Sequence, residues 1–137
     1  MKLKRLANHR FEIVAVMDGD ECPAESFLLH GEESTEAVRY GLMHMLGTVA
    51  ENGLQNVPHA WVHEANKKLD IYEFIKGPLR LFFFKGKNGQ IAVCSTGVRK
   101  SGSKADQAAV QKAAKWRDDY YEALKNDTLT TVNEDGT

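Results

Sequence analysis

Three short apolar segments separated by turn residues, in the second half of the sequence, constrain this chain more than any other feature. Segments 71–75 and 79–85 flank a Gly-Pro pair, and the sequence Gly-Lys-Asn-Gly separates the second segment from the third, 90–96. Segments rich in β-branched and aromatic residues and bounded by such turn residues are typical of strands in hairpins. Because connections this short join antiparallel neighbours, the pattern predicts a three-stranded antiparallel meander.

A strand and two helices are predicted before the meander. The run 11–17 is rich in β-branched residues and ends at an Asp-Gly-Asp turn, and a short helix over 24–29 follows. Apolar residues then recur at i, i+4, i+7, i+8 and i+11 through 35–52, which is the spacing of one helix face. Ser34 is the expected N-cap of this helix, and an Asn-Gly pair is its expected end.

A further amphipathic helix is predicted over 103–125. Ser103 and Asp106 have the spacing of a capping box at its start. The apolar stripe of this helix consists of Ala105, Ala109, Ala113, Trp116, Tyr120 and Leu124. Residues 126–137 are acidic and lack periodicity, so we expect a disordered tail after a single domain over 1–125.

This order of elements predicts a compact α+β fold, in which helices pack on a small, mostly antiparallel sheet. The helices over 35–52 and 103–125 should both pack on the meander, and they should bury Phe83 and Trp116. A chain of 137 residues is long enough to form one core without a structural metal or disulfides. No cofactor and no metal site are expected, since the acidic turn near residue 20 lacks the spacing of a calcium loop.

The apolar segments and the cysteines argue against membrane and secreted classes of protein. The longest apolar run, 81–84, is far shorter than the roughly 18 residues of a membrane helix. No apolar segment follows the basic N-terminal residues, so no signal peptide is expected. Cys22 and Cys94 have neither the number nor the spacing of a disulfide framework or a zinc site. We therefore expect a cytoplasmic protein.

The net charge of −1 conceals a strong asymmetry along the chain. Residues 1–70 carry −4, residues 71–125 carry +6 and residues 126–137 carry −3. A basic segment of this kind indicates a polyanionic partner such as a nucleic acid. A solvated surface of mixed charge explains the same numbers, so charge by itself leaves both interpretations open.

Three motifs carry a resemblance to a known family. The helix end 49–53, Val-Ala-Glu-Asn-Gly, is similar to a Leu-Ala-Glu-Asn-Gly motif. Segments 71–74 and 79–84 are similar to a Leu-Tyr-Glu-Leu strand followed by a Tyr-Arg-apolar strand, and 97–103 is similar to a Gly-Phe-x-Lys-Lys turn before a helix. In this order and spacing the motifs resemble the RelE/ParE toxin superfamily, and most of all its HigB-like, phage-derived branch.

The resemblance implies a RelE-like fold and the function of a type II toxin. Many toxins of this family cut mRNA on the ribosome without metal, by attack of a ribose 2′-hydroxyl on the neighbouring phosphate. The implied partners are a cognate antitoxin of the helix-turn-helix type, the ribosome and mRNA, with no membrane partner, and a homodimer stays open. The alternative is a non-catalytic protein of the same fold, either a ParE-like gyrase inhibitor or a phage-derived binding protein.

The candidate catalytic residues are Arg80, Arg99 and Lys100. Arg80 lies in an otherwise apolar strand, and its guanidinium can donate two parallel hydrogen bonds to a phosphate. The alternative is an arginine on the solvent side of a half-buried strand, and the resemblance favours the functional role. Arg99 and Lys100 lie in a turn before a helix, where backbone N–H groups add positive potential. All three are expected to converge on one concave face.

Lysines of the same basic segment and two histidines complete the candidate site. The expected RNA-binding residues are Lys76, Lys85, Lys87 and Lys104. His59 and His63 precede the meander and are the candidates for a general acid or base, although a histidine in a loop is more often inert. Tyr120 falls on the apolar stripe of the last helix, and we interpret it as a packing residue.

Overall fold

The computed structural model describes residues 1–100, 102 and 106–133. The strands are β1 (Lys2–Asn8), β2 (Glu12–Val16), β3 (Val62–Asn66), β4 (Ile71–Lys76), β5 (Leu79–Phe84), β6 (Gln90–Arg99) and β7 (Thr130–Val132). The helices are α1 (Pro23–Leu29), α2 (Glu36–Asn52) and α3 (Gln107–Lys125), with short 3₁₀ turns at Glu33–Thr35, Leu54–Asn56 and His59–Trp61. Within the described residues, no helix is long and apolar enough to cross a membrane.

The seven strands form one sheet in the order β3-β4-β5-β6-β2-β1-β7. β4, β5 and β6 pair in antiparallel fashion, which confirms the predicted meander. Gly77 in its first turn has φ +53°, a left-handed backbone that glycine adopts without strain. β2 lies parallel to β6, so the predicted order of strand, helix, three antiparallel strands and helix is confirmed in β2, α2, β4–β6 and α3.

The sheet is larger than the small sheet predicted, because three of its strands carry little sequence signal. β1 is basic and pairs with β2, while β3 is polar and pairs only with β4 at the edge. β7 has three residues and lies parallel to the first half of β1. The expected disordered tail is therefore wrong for the part that β7 occupies, and residues 134–137 lie outside the described residues.

Helices cover both faces of the sheet and create two separate cores. On one face, which we call the α2 face, α1 and α2 pack over Phe74, Leu81 and Phe83. The rings of Phe74 and Phe83 stack there, with centroids 4.1 Å apart. On the opposite face, which we call the α3 face, α3 packs over Phe82 and Phe84. The two predicted helices therefore pack on the meander from opposite sides.

The predicted core residues differ in how deeply they are buried. Phe83 is fully buried, as predicted, whereas Trp116 lies at the margin of the α3-face core and is only partly buried. Tyr120 is fully buried, which confirms its interpretation as a packing residue. Its hydroxyl donates to Oε1 of Gln90 at 2.8 Å and accepts the backbone N–H of Lys87 at 3.1 Å. Tyr120 thus fastens α3 to the turn between β5 and β6.

The helix ends follow the sequence signals in part. α2 ends at Gly53, whose φ of +91° stops the helix at the predicted place. Its N-cap position is taken by Thr35 at the end of a 3₁₀ turn, so the prediction of Ser34 as N-cap is wrong. Asp106 caps α3 by accepting a backbone N–H of the first turn at 3.0 Å, while its predicted partner Ser103 lies outside the described residues.

Candidate active site

Alternation along β5 decides which face of the sheet carries Arg80. Leu81 and Phe83 belong to the α2-face core, whereas Phe82 and Phe84 belong to the α3-face core. Successive side chains of a strand point to opposite faces. Arg80 therefore lies on the α3 face, two residues before Phe82.

Glu73 and His63 reach the same face from the two neighbouring strands. In β4, Tyr72 and Phe74 pack on the α2 face, so Glu73 between them lies on the α3 face. In β3, His63 is the register partner of Glu73, and Ala65 two residues later packs in the α3-face core. A row on the α3 face, formed by His63, Glu73 and Arg80, thus crosses β3, β4 and β5.

Arg80 is anchored through one nitrogen and, within the described part of the chain, has no hydrogen-bond partner at the other two. Its Nη1 donates to the carbonyl oxygens of Gly77 and Leu79 at 2.7 and 2.9 Å. Its Nε is buried, lies 3.8 Å from Oε1 of Glu73 and makes no hydrogen bond. Nη2 also has no partner among the described residues. The Nε–Nη2 edge, which can bind a phosphate with two parallel hydrogen bonds, is therefore without a hydrogen-bond partner in the described ranges, although Nε is covered.

Glu73 and Arg80 form a shielded pair of opposite charges. Their side chains are only 8% and 13% exposed. Since water is largely excluded, the interaction between the two groups is stronger than at the surface. No described residue donates a hydrogen bond to the carboxylate of Glu73. Both of its oxygens therefore keep acceptor positions for a ligand.

Lys100 lies in phase with Arg80. The backbone N–H of Lys100 donates to the carbonyl oxygen of Pro78 at 2.7 Å, which continues the register of β5 and β6 past the end of the sheet. Arg80 is the register partner of Val98, so alternation places Lys100 on the α3 face as well. Two of the three predicted catalytic residues therefore share one face.

Arg99 lies on the opposite face from Arg80. Its register partner Leu79 belongs to the α2-face core. Nη1 of Arg99 lies 3.0 Å from Oε2 of Glu32, in an ion pair whose side chains are 53% and 71% exposed. The expected convergence of all three residues on one face is not met, because Arg99 and Lys100 are adjacent and point to opposite sides.

The predicted RNA-binding lysines are spread over the molecule. Lys76 lies on the α2 face, where its aliphatic chain packs against α2. Lys85 lies on the same face, with Nζ 4.7 Å from the ring centroid of Tyr72. Lys87 is exposed in the turn between β5 and β6, and Lys104 lies outside the described residues. Lys76 and Lys85 therefore lie on the opposite face of the sheet from the row.

The two candidate histidines occupy different places. His59 is exposed in the 3₁₀ turn before β3 and lines an open groove of about 690 Å³ together with His63 and Tyr72. A hydrogen bond to Asp70 is the main cause that raises the pKa of Tyr72 to about 12, so its phenol stays protonated at neutral pH. His63, unlike His59, also lies on the strand next to Glu73 and is the histidine that joins the row.

The two cysteines are not available as nucleophiles. Both are free thiols buried in the α2-face core, which agrees with the expected absence of a disulfide framework. Burial raises the pKa of Cys22 and of Cys94, so neither thiol ionises readily near neutral pH.

Sequence reasoning missed Glu73, although a signal for it exists. Glu73 interrupts one apolar strand as Arg80 interrupts the next, and a charge at such a position needs a partner. A two-residue turn at Gly77-Pro78 sets the register so that both charges lie on one face, diagonally across β4 and β5. The pattern therefore predicts a carboxylate–guanidinium pair.

Comparisons with known proteins assign no family to the chain. No protein-family model, no curated protein and no solved structure matches the chain. Across the described ranges, no group of three or more His, Cys, Asp or Glu side chains is arranged to hold a metal ion. The row on the α3 face is the arrangement from which we infer a function.

Proposed function

We propose that the chain is a cytoplasmic toxin that cuts mRNA at the α3 face of its sheet without using a metal ion. The observation that carries the proposal is the shielded pair of Glu73 and Arg80, in which the Nε–Nη2 edge of the guanidinium has no hydrogen-bond partner among the described residues. Ribose-assisted cleavage of a phosphodiester needs a base, an anion-binding group and an acid. Glu73, Arg80 and His63 supply these three. The motifs of the RelE/ParE kind support the same class of protein.

In this mechanism the scissile phosphate binds at the unpartnered Nε–Nη2 edge of Arg80. Glu73 accepts the proton of the neighbouring 2′-hydroxyl while the 2′ oxygen bonds to phosphorus. The bond from phosphorus to the 5′ oxygen breaks, and His63 gives that oxygen a proton. The products are a 2′,3′-cyclic phosphate and a free 5′-hydroxyl. Arg80 stabilises the negative charge that builds on the phosphoryl oxygens, and Lys100 adds positive potential on the same face.

The position of the row of His63, Glu73 and Arg80 suits an RNA substrate that is held in place by a partner. His63 is exposed on the edge strand β3, whereas Glu73 and Arg80 are largely covered one and two strands further in. An RNA strand has to enter in a defined conformation to reach the covered pair. The ribosome is the proposed partner that fixes mRNA in that conformation, and a helix-turn-helix antitoxin is the proposed inhibitor.

Substitution of Glu73 and Arg80 in a translating bacterial extract tests the proposal. Glu73→Gln keeps the shape of the side chain but removes the base, and Arg80→Lys keeps the charge but removes the two-pronged donor. We expect each to lower the rate of mRNA cleavage by about 10²-fold or more and to abolish growth arrest. Primer extension should place cuts with 5′-hydroxyl ends in the wild-type reaction. Full cleavage by folded Glu73→Gln protein contradicts the assigned base.

A non-catalytic binding protein is the second candidate, and one observation favours it. Nη1 of Arg80 holds two carbonyl oxygens of the turn between β4 and β5, so the guanidinium also has a structural role. Wild-type protein decides between the candidates. Cuts in ribosome-bound mRNA support the toxin, whereas intact mRNA together with a loss of gyrase supercoiling supports the ParE-like alternative.

A further inference from the structure

A cavity of about 350 Å³ lies where the end of α2 meets the start of β2 and the turn between β5 and β6. Phe11, Leu54 and Ile91 form its apolar part, and Gln55 and Lys85 stand among the polar residues of its lining. A mostly apolar concavity of this size with a few polar groups is the usual form of a small-ligand site. This cavity shares no residue with the row on the α3 face.

Backbone hydrogen bonds hold the lining segments in fixed positions. The N–H of Phe11 donates to the carbonyl oxygen of Ala50 in α2 at 2.8 Å, and the N–H of Glu12 donates to Gly89 at 2.8 Å. At Gly86 a side chain has no space, since a Cβ there would lie 2.5 Å from the carbonyl oxygen of Gln90. The cavity is therefore preformed, which lowers the entropic cost of binding a ligand.

The charge that lines the cavity is positive. Lys85 is its charged lining residue, and within the described part of the chain it forms no ion pair. The guanidinium of Arg10 lies 5.7 Å from the ring centroid of Phe11. Lys87 is exposed two residues after Lys85 in the same turn. The lining includes no carboxylate, so an anionic group of a ligand is favoured at the Lys85 side.

The remaining walls favour a flat ligand with hydrogen-bonding edges. Phe11 is half-buried and offers an aromatic surface on which a base can stack. The amides of Asn52 and Asn56 are engaged with carbonyl oxygens at the end of α2. The exposed carboxamide of Gln55, by contrast, makes no hydrogen bond to the described residues and can both donate to and accept from a base edge.

We propose that this cavity binds a nucleoside monophosphate, with the base on Phe11 and the phosphate at Lys85. A simple anion would leave the apolar walls unused, and an uncharged apolar ligand would leave the lysine unused. The nucleotide is either a free one or a unit of an RNA chain, and the chemistry of recognition is the same. This site is separate from the proposed cleavage site, because Lys85 and its contact Tyr72 lie on the α2 face.

Titration of the full chain tests the proposal, and Glu73→Gln protein is used so that RNA probes stay intact. AMP, UMP, adenosine and inorganic phosphate are added separately, and the amide signals of Gly53 and Gly86 are followed by NMR. We expect both nucleotides to shift both signals. Lys85→Ala should weaken nucleotide binding about tenfold, the effect of one lost charge-assisted hydrogen bond, and should leave adenosine binding unchanged. Lys112→Ala, which alters an exposed lysine of α3, is the matched control and should leave both unchanged.

Several outcomes overturn the proposal. Unshifted glycine signals at millimolar nucleotide exclude the site, and so does nucleotide binding that Lys85→Ala leaves unchanged. Phe11→Leu should weaken the binding of nucleotide and of nucleoside equally. If that variant does not fold, Gln55→Ala at the exposed rim takes its place. Unchanged binding in the variant used contradicts the assigned base contact.

A single-stranded oligoribonucleotide then identifies the source of the nucleotide. If the oligoribonucleotide displaces AMP at a concentration below the one at which AMP itself binds, the site takes a unit of an RNA chain. If the oligoribonucleotide does not displace AMP, the site takes a free nucleotide. Both results support a nucleotide site. Nucleotide binding is measured in a variant that lacks the assigned base, so it does not depend on cleavage. If the wild type fails to cut mRNA, the proposed function is rejected and the nucleotide site is not.

Discussion

Arg80 and Arg99 lie on adjacent strands and contrast in their surroundings. Arg80 is 13% exposed and faces the covered carboxylate of Glu73 at 3.8 Å, whereas Arg99 is 53% exposed and meets Glu32 at 3.0 Å. Water screens the exposed pair, so its shorter distance does not make it the stronger one. Burial, rather than distance, therefore separates the two pairs, and it is the reason why we propose Arg80 and not Arg99 for the phosphate site.

The largest expected effect is on mRNA cleavage. Removing a donor aimed at developing phosphate charge typically lowers the rate by about 10²–10³. Arg80→Ala should show this loss, whereas Arg99→Ala should stay within about twofold of wild type, since an exposed charge on the other face adds only weak, screened attraction. Cleavage of a ribosome-bound message, measured on variants whose circular dichroism is native, checks the pair. Equal losses of cleavage rate in the two variants would contradict the distinction between Arg80 and Arg99.

The next effect compares the two cores of the sheet. Phe83 is fully buried on the α2 face, so Phe83→Ala should lower the free energy of unfolding by about 3–5 kcal/mol. Trp116 is only partly buried on the α3 face, and its buried Nε1 has no hydrogen-bond partner. Trp116→Ala should therefore cost less, about 1–3 kcal/mol. Urea unfolding measures both, and a larger loss for Trp116→Ala would contradict the burial assigned here.

A pH effect follows from Tyr72. Its hydrogen bond to Asp70 raises the pKa from 10.0 to about 12, so the folded state favours the protonated phenol. This stabilisation is fully present below pH 10 and is lost as the pH rises through 12. Wild type should therefore lose more stability than Tyr72→Phe over that interval, as followed by thermal unfolding. The same loss in both proteins would place the phenol outside the hydrogen bond.

How much of the fold the sequence predicts depends on the length and period of each element. The meander and α2 are recognisable because their apolar residues repeat over many positions, and the turns between the strands carry glycine and proline. β1, β3 and β7 have no such repeat. Their pairing rests largely on backbone hydrogen bonds to the neighbouring strand, which side-chain patterns do not record.

The candidate site divides in the same way. Arg80 is predictable because a charge within an apolar strand is rare, and the face of Glu73 follows from a two-residue turn. That Arg99 and Lys100 point to opposite sides also follows from alternation once the strand is known to extend to Arg99. The pairing of Arg99 with Glu32 is different, because it joins residues 67 positions apart and depends on where the connection before α2 lies.

The smallest expected effect concerns the exposed pair of Arg99 and Glu32. With side chains 53% and 71% exposed, Arg99 and Glu32 gain little from their contact, because water screens it and ordering two long side chains costs entropy. A double-mutant cycle of Glu32→Gln and Arg99→Ala should give a coupling energy of about 0–1 kcal/mol, and salt should reduce it further. The matching cycle of Glu73→Gln and Arg80→Ala should give a clearly larger coupling that salt hardly changes. If the exposed pair couples as strongly as the covered one, then burial does not separate the two arginines, and Arg99 returns as a candidate for the phosphate site.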